Sequence, residues 1–567
     1  MVYVIQDFCH GVAGGIFGQN GFMELYTNLF FDVYSTTPFI MPTGDPVKKP
    51  EEGENTDIAI YVLSRVAGEG ADRNAAAGDY YLKEDEHQML ADLCAYYKDV
   101  IVVVNADGQV ELSFMDEFEN IKALLVIVQP GMEGGNAFAD VISGKVNPSD
   151  KLVDSWAYKY EDYPSAATFS HNNGNVQKEF YEEGIYVGYR YFDTFGIPVR
   201  YGFGYGLSYT TFSMNDCTVE RAKNNVVKIS ICVKNTGDMA GKEVVQVYVS
   251  LPGGRLEKVK NLFAKKEELN ELSQQNGKTS QREAAQKALA AERNLPILEM
   301  KSADFVTKEI VYKKNSELAD AKAMEFVNTL TVNELIDLAA GDPGKAQGGN
   351  LGAAGISVPG SAGETHRCAV DKGLASIVLA DGPAGLRLMK YYHVDDGKII
   401  PMPFEFSLEG GLFYDGPTIK HFACNNQEDN RMGSDSILSE RAIRELYLKG
   451  FEIAVKESQP LSIMTSYNLI NGVHAANNHD LCTDVARNEW GFQGAIMTDW
   501  TTTEVDDSCT ASGCMRAGND LVMPGCFGDH DNMKKELEEG TLKIEDLKAC
   551  IARLVSVIWK SNQYVEK

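Results

Sequence analysis

Asp499 and His421, with Lys420 beside the latter, are residue types that carry nucleophilic and acid–base chemistry, and each closes a short apolar run. The segment Ala495-Ile496-Met497-Thr498-Asp499-Trp500 ends on a carboxylate and an indole. Three other segments beyond residue 370 have the same form: Ile377-Val378-Leu379-Ala380-Asp381, Thr418-Ile419-Lys420-His421 and Ile463-Met464-Thr465-Ser466-Tyr467-Asn468. Parallel strands that deliver functional groups at their C-terminal ends are how a (β/α)8 barrel assembles a site. A carboxylate beside Lys420 and Arg431 would be held ionised, as a nucleophile requires.

The elements that position these residues make an α/β multidomain protein. Residues 1–205 alternate apolar strands (Asp57 to Leu63, Val100 to Asn105, Ala123 to Val128) with an amphipathic helix, Glu84 to Tyr97, which predicts an α/β sandwich. Residues 206–263 change to period-two alternation, as in Val227 to Lys234. The turn Asn235-Thr236-Gly237-Asp238 then leads to a further strand over Glu243 to Val249, together the pattern of a partial β-sandwich. Residues 264–319 form a linker whose first part is rich in Lys, Glu, Gln and Ala, and residues 320–567 form the barrel-like region. There a helix is predicted from Ile437 to Glu457, with Ile443, Leu446, Tyr447, Phe451 and Ala454 on its apolar face.

The 567 residues carry a formal charge of −28, the opposite of what a phosphate-binding groove needs, so nucleic acid is excluded as a partner. No apolar run is long enough to span a bilayer, and no membrane partner is expected. The start, Met1-Val2-Tyr3-Val4-Ile5, lacks the form of a secretion signal, and the eleven cysteines are irregularly spaced, so a cytoplasmic location is expected. Cys509, Cys514 and Cys526 lack the His or fourth Cys of a zinc site, and the only glycine-rich candidate for phosphate, Gly131-Met132-Glu133-Gly134-Gly135, carries an acidic residue where phosphate would sit. Neither metal nor cofactor is expected.

Five motifs in the second half carry a specific resemblance: Asp381-Gly382-Pro383-Ala384-Gly385-Leu386-Arg387, Lys420-His421-Phe422-Ala423-Cys424-Asn425-Asn426-Gln427 with Arg431, Met464 to Asn468, Met497 to Trp500, and Ala517 to Gly525. Two more lie in the first half, Ser64 to Arg73 and Gln129 to Asn136. Together they resemble glycoside hydrolase family 3, in the β-glucosidase-like branch whose α/β sandwich and fibronectin III-like domain precede the barrel.

The resemblance implies an exo-acting retaining β-glucosidase, with β-xylosidase as the alternative in the same family. Its substrate would be a β-glucoside or a short β-linked oligosaccharide. Asp499 would be the nucleophile, and Glu69, on a sandwich-domain loop reaching the barrel mouth, the acid/base. Asp381, Arg387, Lys420, His421 and Arg431 would hold the sugar hydroxyls or orient the carboxylates, with Tyr467 near the nucleophile and Trp500 as an apolar platform. Phe422-Ala423-Cys424-Asn425 after the Lys-His pair separates the chain from the N-acetylglucosaminidase branch, which has a Pro-Gly-His loop there.

The chain also departs from the family. Only residues 388–417 separate the Asp-Gly-Pro motif from the Lys-His strand, and at about 30 residues per βα unit roughly two units are missing. With them goes an Arg that contacts sugar in relatives, set in a Gly-Arg-Asn-Phe-Glu context. The first domain also starts late and the β-sandwich stops after half its strands. A shortened barrel is therefore expected, of reduced activity, with its strand edges covered by residues 388–417 or by a second copy in a homo-oligomer. A catalytically impaired relative that binds carbohydrate or another protein is the competing class.

Overall fold

The computed structural model describes residues 44–50, 57–65, 69, 72–131, 133–222, 226–248, 309–342, 361–380 and 416–561, a few isolated residues, and the backbone of short strands between 388 and 407. The linker stretch 264–290 lies outside them, as do Asp381 and Arg387. The chain divides into two units. One comprises Met1–Glu257 and Asn270–Thr307 with Gln427–Asn430, the other Lys258–Leu269, Lys308–Asn426 and Arg431–Lys567.

In the first unit, β1 (Ile58–Ser64), α1 (Glu84–Tyr96), β2 (Asp99–Asn105) and β3 (Ile121–Val126) form a parallel sheet in the order β1-β2-β3, with Ile58 opposite Asp99 and Val102 opposite Leu124. Val100, Val102, Val103 and Val104 of the central strand are all buried, which is why it reads as an unbroken apolar run rather than an alternation. Leu90 of α1 packs into the same core with Phe114 and Leu63. The predicted strand to Val128 stops two residues early, because Val128 and Gln129 take left-handed φ values of 42° and 47° that end the ladder.

A buried Arg65–Glu86 pair, two bonds of 2.9 Å, ties the residue after β1 to the first turn of α1. The remaining donors of Arg65 go to the carbonyls of Ser64, Asp79 and Tyr81. Its charge is therefore fully engaged, as a buried guanidinium requires.

Further on, β4 (Phe212–Arg221) and β5 (Val227–Asn235) pair as an antiparallel ribbon. The strand expected over Glu243 to Val249 does not form across its described part, 243–248. The start of that stretch and the residues before it are held through side chains to the 147–151 loop instead: Lys151 pairs with Glu243 at 3.2 Å, Lys242 N–H donates to Ser149 Oγ, and Asn147 donates to the Ala240 carbonyl.

In the second unit, α2 (Val332–Leu338) precedes an antiparallel pair of short strands, β6 (Gly363–Glu364) and β7 (Val378–Leu379). Three parallel strands follow, β8 (Thr418–Phe422), β9 (Ser462–Thr465) and β10 (Ala495–Met497), in the order β8-β9-β10. Single parallel bridges continue the row from Met497 to Leu521 and from Val522 to Ala340, and an antiparallel bridge joins Gly341 to Thr365. Among its helices are α3 (Lys449–Ser458), between β8 and β9, and α4 (Phe527–Glu539) and α5 (Ile544–Ile558) near the C-terminal end. Leu547, Ile551, Leu554 and Val555 of α5 bury against Leu335, Leu338, Met497 and Val522.

The helix expected from Ile437 starts later. Asp435–Ile437 is a strand, and Ser439 caps the helix by accepting the Ala442 N–H at 3.2 Å. A π turn over Ile443–Tyr447 then inserts one residue, with Leu448 N–H bonded to Ile443 O at 2.8 Å. The buried face therefore runs through Ile443, Leu448 and Val455 in place of Tyr447 and Ala454.

One buried charge cluster fixes the register of β10. Asp520 accepts from Arg487 at 2.6 Å, from Arg553 at 2.9 Å and from the Ile496 N–H at 2.8 Å, and Arg553 also donates to Asn315. Among the described residues no helix is long and apolar enough to cross a membrane.

Candidate active site

The C-terminal ends of β8, β9 and β10 bring together His421, Tyr467, Asp499 and Trp500. Asp499 is buried at the end of β10, with one carboxylate oxygen accepting the Trp500 N–H at 2.7 Å. The other oxygen, Oδ2, lies 3.1 Å from Nε2 of His421, near enough for the imidazole to stabilise the carboxylate. Burial works to raise the pKa of Asp499, but His421, the Trp500 N–H and the charge of Lys420 outweigh it and hold the carboxyl below its ordinary value. Asp499 is thus a desolvated anion at neutral pH.

Around it the contacts form a cage. Tyr467 donates its hydroxyl to the Trp500 carbonyl at 2.9 Å, and the Arg431 guanidinium stands 4.9 Å from the centre of the Tyr467 ring. Trp500 donates its indole N–H to the Ala362 carbonyl at 2.8 Å, so its ring is fixed against the start of β6. Lys420 is exposed at the side of the cage.

A row of buried polar side chains beneath this cage is not singled out by sequence reasoning. Ser466 and Asn468 both donate to the Ala423 carbonyl, Ser436 donates to that of Cys424, and Asn519 reaches Thr465 at 3.2 Å. The first three pin the backbone just after β8, and Asn519 holds the side chain of the last residue of β9. Their signal was the polar run directly after an apolar strand, Thr465 to Asn468.

Within the first unit there is a separate polar cluster. Glu69 is described alone among residues 66–71 and is half-buried. Close by in sequence, Asp72 accepts the N–H groups of Glu428 and Asp429 at 2.8–3.0 Å, and Ser170 donates to both Asp72 and Asp429. His171 lies 2.7 Å from Asp429. Burial raises the Asp72 carboxyl above its usual range, against the lowering effect of these bonds. Neighbouring Glu179 is pushed up to about 7, chiefly by burial, with the charges of Glu183 and Asp72 adding to it.

Comparison with known proteins gives this geometry a context. Residues 44–189 match the glycosyl hydrolase family 3 C-terminal domain and residues 416–557 the glycosyl hydrolase family 3 N terminal domain, so the domain named for the C-terminus comes first. A beta-glucosidase of Ruminococcus albus is 30% identical over 677 aligned positions, spanning 93% of this chain and 70% of that one. Beta-glucosidase A of Butyrivibrio fibrisolvens is 29% identical, spanning 87% and 81%. The crystal structure of a beta-glucosidase from Paenibacillus barengoltzii superposes with a TM-score of 0.68 at 27% identity, over 90% of this chain and 72% of that one.

Proposed function

The chain belongs to glycosyl hydrolase family 3, and from that membership we propose that it is an exo-acting retaining β-glycosidase releasing glucose from the non-reducing end of β-glucosides. The observation that carries the proposal is the ionised, buried carboxylate of Asp499 at the end of β10 beside His421.

In the first step Asp499 attacks the anomeric carbon while the Glu69 carboxyl gives its proton to the departing oxygen. In the second, the Glu69 carboxylate takes a proton from water, which attacks the glycosyl ester and frees Asp499. The cation at Arg431 and the imidazole of His421 stabilise the carboxylate between steps, Asp381, Arg387 and Lys420 bind hydroxyls, and Trp500 offers an apolar face.

We further propose that the barrel is shortened by roughly two βα units. The short 388–417 stretch supports this, as does an alignment of 677 positions against a chain of 567 residues, which requires insertions in the relative. Losing one charged contact to the sugar costs on the order of 1.5–3 kcal/mol, so turnover well below that of a full-length barrel is expected.

Turnover of p-nitrophenyl β-D-glucoside against the β-xyloside tests the activity and its substrate. A 2-fluoroglucosyl adduct mapping to Asp499 tests the nucleophile, and labelling of a different carboxylate would sink that assignment. Glucoside binding without turnover would favour the carbohydrate-binding relative instead.

A further inference from the structure

Asp337, His366 and Cys368 converge in the second unit: their donor atoms all lie within 4.8 Å of one another and all three side chains are half-buried. Asp337 stands on α2, and His366 and Cys368 in the turn after β6. A fourth donor comes from α4, where Nδ1 of His530 lies 3.4 Å from Oδ1 of Asp337. The His366 and His530 ring centres are 6.3 Å apart.

Two ligands bound at about 2.0–2.1 Å to one tetrahedral ion stand about 3.4 Å apart, so Asp337 and His530 already have the spacing of co-ligands. The donor atoms of Asp337, His366 and Cys368, all within 4.8 Å of one another, reach that spacing with movements on the order of 1 Å. The protein makes only weak alternative use of these donors. His530 meets Asp337 through Nδ1 at 3.4 Å, beyond a normal hydrogen bond, and its buried Nε2 has no hydrogen-bond partner among the described residues. The Cys368 thiol has a long 3.6 Å contact to the Glu334 carbonyl, and Nδ1 of His366 accepts the Cys368 N–H at 3.2 Å.

The bland alternative is an Asp–His ion pair beside a core cysteine. It does not account for a second imidazole and a thiol meeting the same carboxylate, nor for the further negative charge that Glu334 and Asp342 place near the sulfur. We propose that Asp337, His366, Cys368 and His530 form a closed, four-ligand site for a zinc-type divalent transition metal, tying α2, the turn after β6 and α4 together. One thiolate, two imidazoles and one carboxylate suit zinc(II) over magnesium or calcium, which take oxygen ligands. On binding, Cys368 gives its proton to water as the metal–sulfur bond forms; nothing is oxidised or reduced. Four protein ligands leave no open position, so the role is structural. The clip anchors the strand that follows Ala362, whose carbonyl holds the Trp500 indole. It stands independently of the glycosidase reading.

The test uses the full chain, stripped with EDTA and titrated with zinc chloride alone or cobalt chloride alone. One equivalent of zinc retained after gel filtration is expected. Cobalt should give the intense visible bands of a tetrahedral site with a thiolate-to-metal charge-transfer band in the near ultraviolet. Cys368→Ser should remove that band and weaken zinc binding about 100-fold or more, since even outer partners of metal ligands cost 10- to 100-fold. His366→Gln and His530→Gln should weaken binding while keeping the thiolate band, and they decide the matter if the serine variant does not fold. No retained zinc, a cobalt spectrum without thiolate character, or the same affinity in all three variants would overturn the proposal.

Discussion

Nε2 of His421 stands 3.1 Å from Oδ2 of Asp499, across the ends of two strands whose sequences lie far apart in the chain. This neighbour, more than distant charges, keeps a fully buried carboxyl ionised against the burial that opposes it. A depressed folded-state value means that the interaction stabilises the fold above the ordinary carboxylate range and is lost as pH falls through the depressed value. His421→Ala should therefore shift the acid limb of the kcat/KM–pH profile upward and lower kcat/KM about 10- to 150-fold at neutral pH. An acid limb that stays in place would show that His421 does not tune Asp499.

Glu69→Ala should slow substrates with basic leaving groups far more than activated aryl glycosides, because proton donation matters only when the departing oxygen is a poor leaving group. Azide should restore turnover and yield a β-glycosyl azide. Equal slowing of all substrates with no azide effect would make Glu69 a structural residue.

Glu179 supplies a pH dependence of opposite sign. Its folded-state value, about 7, lies above the ordinary one of about 4.3, so its stabilising effect is complete below that ordinary value and is lost as pH rises through about 7. Glu179→Gln keeps an acceptor for the Ser170 N–H and removes the ionisation. The wild type should lose melting temperature between about pH 5 and pH 8 relative to this variant, measured by calorimetry. Parallel curves would contradict the assignment.

Asp520 is fully buried between Arg487 and Arg553, and burial, then the charge of Arg553, pushes Arg487 down to about 10. Asp520→Ala leaves both guanidinium groups without their anion and also frees the Ile496 N–H. A loss of about 3–5 kcal/mol in urea unfolding is expected, with the site residues of β10 displaced.

Much of the scaffold was legible because its signals are local. The runs Ile58 to Leu63 and Val100 to Asn105 are β-branched and apolar, and they pair as parallel strands. The helix near residue 440 was visible as a period, but its register was not, since one inserted residue in the π turn moves the buried face from Tyr447 to Leu448. The strand expected near residue 245 failed because side-chain bonds to the 147–151 loop hold the chain there, a competition that propensity does not see. The carboxylate at Asp499 announced itself at a strand end, whereas Glu69 in a glycine-flanked loop was assigned only through resemblance. Asp337, His366, Cys368 and His530 gave no spacing signal, since the separation of 193 residues between Asp337 and His530 is closed only by the fold.

Residues Gln427–Asn430 belong to the first unit although their chain neighbours on both sides belong to the second. That membership places part of the first unit more than a hundred residues beyond the rest of it. A polypeptide ending before residue 300 would lack the Glu428 and Asp429 amides that satisfy Asp72, leaving a buried carboxyl with Ser170 as its remaining donor among those named. Dissecting this protein into separately produced halves would thus damage the N-terminal half in a way its own sequence does not reveal. Supplying the loop as a short peptide would be the natural complementation.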